Sequence, residues 1–358
     1  MKEIRAIVAR YQEEKQQQTP AALATVVAVE GSSYRRVGAR MLVLETGEYV
    51  GGISGGCLEG DARKKARFAI HRQQPSYAIY DTTQGDDHQI GVGLGCNGII
   101  HVLLQPIDYT DPNNAVACLE RLLAQPRQVQ QVATITKSDS PEYPMGTSWL
   151  IGDTRFSRLN EQLLPYLGER RSRLYELPEE NLTVCLETVF PEIQIFLAGY
   201  QTDTLPLARL AREIGFTPLL IAPTWQVPPA IHSLVSKIFA PDGELEELGI
   251  DAFSAVILMS HDLGKDTYQL ARFLPSAIPF IGMLGPKVRA EKIQKSLEEQ
   301  GYVFTDEQKK RIHAPVGLDI GATTPEEIAL SILAEIRAFF SGRSAKPLRD
   351  RDRPIYAD

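Results

Sequence analysis

Several features that would each announce a function are missing. The four cysteines, at 57, 96, 118 and 185, lie far apart and form no CxxC pair. That leaves neither a disulfide framework nor the usual spacing of a zinc site. Positive charge is in deficit: 38 Lys and Arg stand against 45 Asp and Glu, for a net charge of −7. Nonspecific nucleic-acid binding needs a basic surface, so that class is disfavoured. No apolar run reaches the length of a membrane span. The opening residues, Met1-Lys2-Glu3-Ile4-Arg5, lack the apolar stretch of a signal peptide. With unpaired thiols, this leads to the expectation of a cytoplasmic protein. Internal repeats are absent too, and 358 residues of ordinary composition suffice for two domains.

What is present centres on one stretch, Gly51-Gly52-Ile53-Ser54-Gly55-Gly56-Cys57-Leu58-Glu59-Gly60. Met41-Leu42-Val43-Leu44 and Glu48-Tyr49-Val50 before it read as strands. Residues 61–73 after it read as a helix with Ala62, Ala66, Ala69 and Ile70 on one face. The glycines therefore lie where a strand hands over to a helix. Glycine permits positive φ and close approach of the backbone to a ligand. A helix start offers unpaired N–H groups and partial positive charge, which favour a bound anion. The same field favours a thiolate at Cys57. The competing reading is a tight turn around a small buried cysteine.

Two neighbouring segments extend the pattern. Gly31-Ser32-Ser33-Tyr34-Arg35-Arg36-Val37-Gly38-Ala39-Arg40 carries three arginines whose forks suit phosphate or carboxylate oxygens. It reads equally as a solvated hairpin loop. Ile90-Gly91-Val92-Gly93-Leu94-Gly95-Cys96-Asn97-Gly98 is a second glycine-rich loop with one cysteine. Two such loops suggest a shared pocket. His88 reads as a loop residue, with a Cys57–Cys96–His88 metal site as the alternative.

Further strands are predicted at 22–30, 76–80, 99–104, 129–136, 147–151 and 182–189. Helices are predicted at 3–18, at 113–125 with Cys118 on the core side, and at 159–173. The last of these ends in the cluster Arg170-Arg171-Arg173, read as a solvated helix end. Residues 1–190 thus form a mixed α+β domain, with a boundary at Pro191. From Ile193 strands and helices alternate. Strands are predicted at 193–197, 218–222, from 238, within 251–260 and at 280–284. Helices are predicted at 205–214, 267–273, 288–300 and 325–339. This alternation predicts an α/β domain over 191–341 with a doubly wound parallel sheet. Thr324, Pro325 and Glu327 supply the N-cap, N1 and capping-box residues of its last helix. Residues 342–358 are a charged, proline-containing tail.

Ligands of such a sheet lie beyond the carboxyl ends of its strands. The first strand-to-helix turn, Leu197-Ala198-Gly199-Tyr200-Gln201-Thr202-Asp203, has one glycine where a dinucleotide fingerprint needs three. No acid follows the second strand to hold a ribose. The local chemistry therefore argues against NAD(P). Ser260-His261-Asp262 ends the strongest strand, and His261 can serve as acid, base, ligand or structural group. Gly285 leads into a helix start with Lys287 and Arg289. Asp319, before the last helix, can accept from a ring N–H or a hydroxyl.

GSSYRRVGARMLV (31–43), GGISGGCLEG (51–60) and GVGLGCNG (91–98) resemble the N-terminal domain of the XdhC/CoxI family. SHD (260–262), IGMLG (281–285) and HAPVGLDIGATTPEEIALSILAEI (313–336) resemble that family's Rossmann-like C-terminal domain. The resemblance implies an accessory protein that binds molybdenum cofactor, helps its sulfuration and delivers it to an apo molybdenum hydroxylase such as xanthine dehydrogenase. It implies a carrier more than a catalyst, with a cysteine desulfurase as a further partner. The residues assigned to the cofactor are Arg35, Arg40, Ser54, Gly55, Gly56, Cys57, Glu59, Gly95, Cys96, Gly199, His261, Asp262, Gly285 and Asp319. Cys57 and Cys96 are the candidate molybdenum contacts. A homodimer is expected, dimers being the commonest symmetric assembly. The sequence departs from the family at Leu197-Ala198-Gly199-Tyr200, where a GAGH-type turn is usual. Two alternatives stand beside this reading: an NAD(P)-dependent oxidoreductase, and a protein-interaction module without a small-molecule ligand.

Overall fold

In the computed structural model the residues described are 1–83, 97–352 and 355. The chain divides into two units, Met1–Pro191 and Glu192–Asp358.

The first unit begins with α1 (Lys2–Gln17), whose stripe Ile4, Ile7, Val8 and Tyr11 is buried. Then come β1 (Ala21–Gly31), β2 (Arg40–Leu44), β3 (Tyr49–Gly51), α2 (Glu59–Arg72), β4 (Ser76–Asp81) and β5 (Gly98–Pro106). The five strands form an antiparallel sheet in the order β3-β2-β1-β5-β4. Strand alternation sends Ala22, Ala24 and Val26 to one face, where they meet Ala62, Ala66 and Ala69 of α2. Small residues on both surfaces let helix and sheet approach closely. Ala21 and Leu23 point to the other face, against α1 and α3 (Ala115–Ala124), with Cys118 in that core.

β6 (Gln130–Ser138), β7 (Ser148–Leu150), α4 (Ser157–Leu163), β8 (Arg173–Leu177) and β9 (Leu182–Val189) complete the unit. Its second sheet, β7-β6-β9-β8, is antiparallel and packs around Trp149, Leu159 and Leu163. The register of β1 against β5 shifts between Val26 and Ala28. Val27 there joins Leu103 and Cys185 in a contact between the two sheets. The helix predicted over 159–173 ends at Leu163. Pro165 falls in a 3-10 turn, Leu164–Tyr166, and Gly168 follows with φ +88°. Arg173 belongs to a strand, and Arg170 lies over the Phe190 ring, 5.4 Å from its centroid.

The second unit runs β10 (Gln194–Ala198), α5 (Thr204–Glu213), β11 (Thr217–Ile221), α6 (Pro229–His232), β12 (Ile238–Phe239), β13 (Ser254–Leu258), α7 (Leu263–Phe273), β14 (Phe280–Met283), α8 (Lys287–Glu299), α9 (Asp306–Arg311), β15 (Ile312–His313) and α10 (Pro325–Ser341). All pairings are parallel, in the order β12-β11-β10-β13-β14-β15. This is a Rossmann-like doubly wound sheet. Its strands are legible in the sequence because β10, β13 and β14 are buried at every position, which gives continuous apolar runs. α5 and α10 cover one face and α7 and α8 the other. The chain reverses direction of build between β10 and β13, which sets the switch point there. α10 carries the predicted cap: Thr324 accepts from the Glu327 N–H, and Glu327 reaches back to the Thr324 N–H at 2.9 Å.

Candidate functional site

The glycine-rich stretch 51–58 is held from inside. Glu59, only 7% exposed, turns its carboxylate into the loop. It accepts from the Ile53 N–H at 3.2 Å, the Ser54 N–H at 2.8 Å and the Ser54 hydroxyl. The Ser54 oxygen in turn accepts from the Gly56 and Leu58 N–H groups at 3.2 and 3.1 Å. Burial alone would raise the proton affinity of Glu59. The Ser54 hydroxyl and the loop N–H groups outweigh it and hold the carboxyl below its ordinary range. Ser54 and Glu59 are thus framework. The backbone at Gly56 has φ +111° and open space where a Cβ would stand. Cys57 beside it is half-buried, its Sγ 3.8 Å from Ser54 Oγ, whereas Cys118 and Cys185 are buried.

The arginine segment packs against this loop. The Tyr34 ring lies over Gly55, and the Gly52 N–H donates to the Arg40 carbonyl at 2.7 Å. The arginines are not open forks. Arg40 is 3% exposed and pairs with Glu187 of β9 through both terminal nitrogens, one at 3.0 Å. Burial pulls its proton affinity down, and the Glu187 charge more than reverses that. Arg35 pairs with Glu3, which also accepts from the Arg40 N–H at 3.1 Å. The expectation that Arg40 receives a ligand anion is therefore corrected: its charge is spent joining β2 to β9. Gly38 is required there, because a Cβ would stand 2.5 Å from Glu187 Oε1. Gly95, Cys96 and His88 lie outside the described residues. Among the described residues no cluster of three or more His, Cys, Asp or Glu is arranged for a metal ion.

In the second unit the sheet gathers Gly199, His261, Asp262 and Gly285 at one edge. They follow the carboxyl ends of β10, β13 and β14, across the switch point. Gly199 has φ +150°, and a Cβ there would collide with the Met259 carbonyl. The turn after β10 can lie flush against β13 only as glycine. His261, with φ +59°, holds Nε2 2.7 Å from Asp203 Oδ2. Its side chain is 57% exposed, and Asp203 comes from the start of α5. The pair leaves Nδ1 of the imidazole for another partner. Asp203 Oδ1 is buried with no hydrogen-bond partner among the described residues.

Asp262 caps α7, accepting from the Lys265 N–H at 3.0 Å, and that bond holds its carboxyl below the ordinary range. Asp266, 1% exposed, accepts from the Ser260 hydroxyl at 2.6 Å and from Arg289 at 2.7 Å. Arg289, expected to meet an anion, is thereby occupied. Gly285 makes this possible, since a Cβ would come within 2.8 Å of the Arg289 side chain. Lys287 and Asp319 are exposed. The segment before Asp319 is held by Glu335, which takes His313 Nδ1 at 2.7 Å and the Gly317 N–H at 2.6 Å. Asp203, Asp266, Glu3 and Glu187 were not anticipated. Only Asp203 had a local signal, at the end of the turn already singled out.

Residues 195–336 match the family described as the XdhC Rossmann domain, and residues 15–81 match the XdhC and CoxI family. A Bacillus subtilis protein, named as a probable subunit of xanthine dehydrogenase, is 30% identical over 326 residues, covering 89% of this chain and 93% of its own. The Escherichia coli molybdenum cofactor insertion chaperone PaoD is 28% identical over 329 residues, covering 88% and 82%. A crystal structure described as a xanthine dehydrogenase from Bacillus halodurans superposes with a TM-score of 0.72 at 27% identity, covering 96% and 98%. Sequence motifs, sheet order and relatives agree, and the chain belongs to the XdhC and CoxI family.

Proposed function

We propose that the protein is an accessory factor that holds molybdenum cofactor and hands it to an apo molybdenum hydroxylase of the xanthine dehydrogenase type. The observation that carries this reading is the half-buried Cys57 thiol on a loop fixed by Ser54 and Glu59, beside the open backbone at Gly56. The cargo is a pterin whose dithiolene holds molybdenum. A soft sulfur donor presented on a rigid frame fits such a centre. The names of the relatives, a cofactor insertion chaperone and a probable subunit of xanthine dehydrogenase, support the same role.

The oxidoreductase alternative gains less support. The turn after β10 has one glycine, and the Asp203 carboxylate stands at the start of α5, where a dinucleotide's pyrophosphate would need positive potential. No helix of the described residues is long and apolar enough to cross a membrane.

Protein purified from cells supplied with molybdate is expected to carry molybdenum and releasable pterin in matching amounts. Replacing Cys57 and Cys96 with serine should lower both. A protein empty as isolated, and still empty after incubation with free cofactor, would overturn the proposal. Unchanged retention in the double serine variant would remove the thiols from it.

A further inference from the structure

The turn after β11 carries a group that the proposed function leaves unused. The chain has two tryptophans. Trp149 is fully buried, and its Nε1 donates to Asn160 at 2.9 Å. Trp225 is 84% exposed. A single exposed apolar residue is ordinary, so its presentation decides the matter.

The turn that presents it is fixed. Trp225 sits in a single 3-10 turn, Thr224–Gln226, with Pro223 before it and Pro228 and Pro229 soon after. Proline fixes φ on both sides. The Gln226 N–H donates to the Pro223 carbonyl at 2.9 Å, and the neighbouring Val227 side chain is buried. The Tyr200 hydroxyl donates to Gln226 Oε1, tying this turn to the one after β10. The backbone that carries the indole is thus fixed, which lowers the ordering cost of binding.

Its position is equally specific. β10 and β11 are parallel neighbours in register from Gln194↔Thr217 to Ala198↔Ile221. Trp225 therefore stands at the same carboxyl edge as Gly199 and His261. The end of the second strand is where a dinucleotide-binding sheet places an acid for the ribose. Here the residues are Ala222-Pro223-Thr224-Trp225, with no acid and a tryptophan in the turn.

We propose that Trp225 is a stacking platform for a flat heteroaromatic ring, read by its face and not by ribose hydroxyls. The choice of ring rests on the function proposed above: it is either the pterin of the cofactor or the base of a nucleotide tail. Both offer the same π face, and stacking accepts either.

Incorporating 5-fluorotryptophan into the full chain gives two resonances, and Trp225→Phe identifies the exposed one. Titration with CMP, GMP and neopterin should shift the Trp225 signal saturably and leave Trp149 in place. The ring that shifts it distinguishes pterin from nucleobase. Trp225→Ala should weaken that binding roughly 5- to 150-fold, while Trp225→Phe keeps most of it. Trp225 shifts in a protein that never holds molybdenum would support the platform and overturn the carrier role alone. A cofactor-loaded protein whose Trp225 signal ignores all three probes and does not move on unloading would overturn the platform alone. Ligand affinity unchanged by Trp225→Ala, with transfer to the hydroxylase lost, would overturn it in favour of a protein contact.

Discussion

The sharpest test of the loop architecture is Glu59→Gln. The substitution keeps side-chain volume and removes the charge. The Glu59 carboxylate accepts three hydrogen bonds, from the Ile53 and Ser54 N–H groups and the Ser54 hydroxyl. A glutamine oxygen can still accept the two N–H groups. Its amide nitrogen then faces Ser54 Oγ, whose lone pairs already accept from Gly56 and Leu58. One charge-assisted bond is lost and one buried donor is left without an acceptor. Together these cost about 2–4 kcal/mol, which multiplies the population of an open loop roughly 30- to 700-fold. Amide hydrogen exchange of the peptide spanning 51–59 reads this directly, because the N–H groups of residues 53, 54, 56 and 58 all point inward. The pH dependence has a defined sign. The native Glu59 value is depressed, so its contribution is complete above the ordinary carboxylate range and fades as pH falls through the depressed value. Wild type and variant should converge in acid after correction for intrinsic exchange. Acceleration below about threefold at pH 7 would mean that the glycines, not the carboxylate, hold the loop.

Two further outcomes follow from the same geometry. Arg40→Met leaves Glu187 charged and unpartnered in a buried site, at a cost of about 3–5 kcal/mol in a urea melt, and Arg40→Met/Glu187→Leu should recover most of it; equal stability of the single variant and wild type would refute the pairing. Asp203→Ala removes a carboxylate that makes no helix-cap bond and whose Oδ1 is buried without a partner among the described residues; it should change stability by less than about 1 kcal/mol yet lower molybdenum retention at least several-fold, because His261 loses the group that orients its ring; unchanged retention would assign the pair a structural role.

Much of the fold was legible because it rests on periodicity. The continuous apolar runs of β10, β13 and β14 and the alanine face of α2 are local patterns that survive without tertiary knowledge. The errors fall where pairing decides. Arg173-Leu174-Tyr175-Glu176-Leu177 has no strong strand signature, and it becomes β8 through its register with 182–186 of β9. β15 has two residues and exists only as the partner of β14. Of the site, the positions were legible and the roles were less so. Glycine, serine and arginine clusters marked the loops that the fold brings together. What occupies them was hidden, because the partner of Arg40 lies 147 residues away and that of His261 lies 58 residues away.

Those hidden partners share one property: they are carboxylates of the chain itself. Glu59 takes the inward amides of the 51–58 loop, Glu187 and Glu3 take Arg40 and Arg35, and Asp266 takes Arg289. Asp262 occupies the start of α7. The loop, Arg35, Arg40 and Arg289 are places where residue type alone suggested a phosphate or carboxylate ligand. The chain has filled them, which agrees with its excess of acidic residues. The groups left accessible are of another kind: in the first unit the half-buried Cys57 thiol, and in the second the His261 imidazole and the Trp225 ring. Sulfur, imidazole and an aromatic face recognise a soft metal centre and a flat heterocycle better than they recognise a bare anion. That selection agrees with the carrier role proposed above.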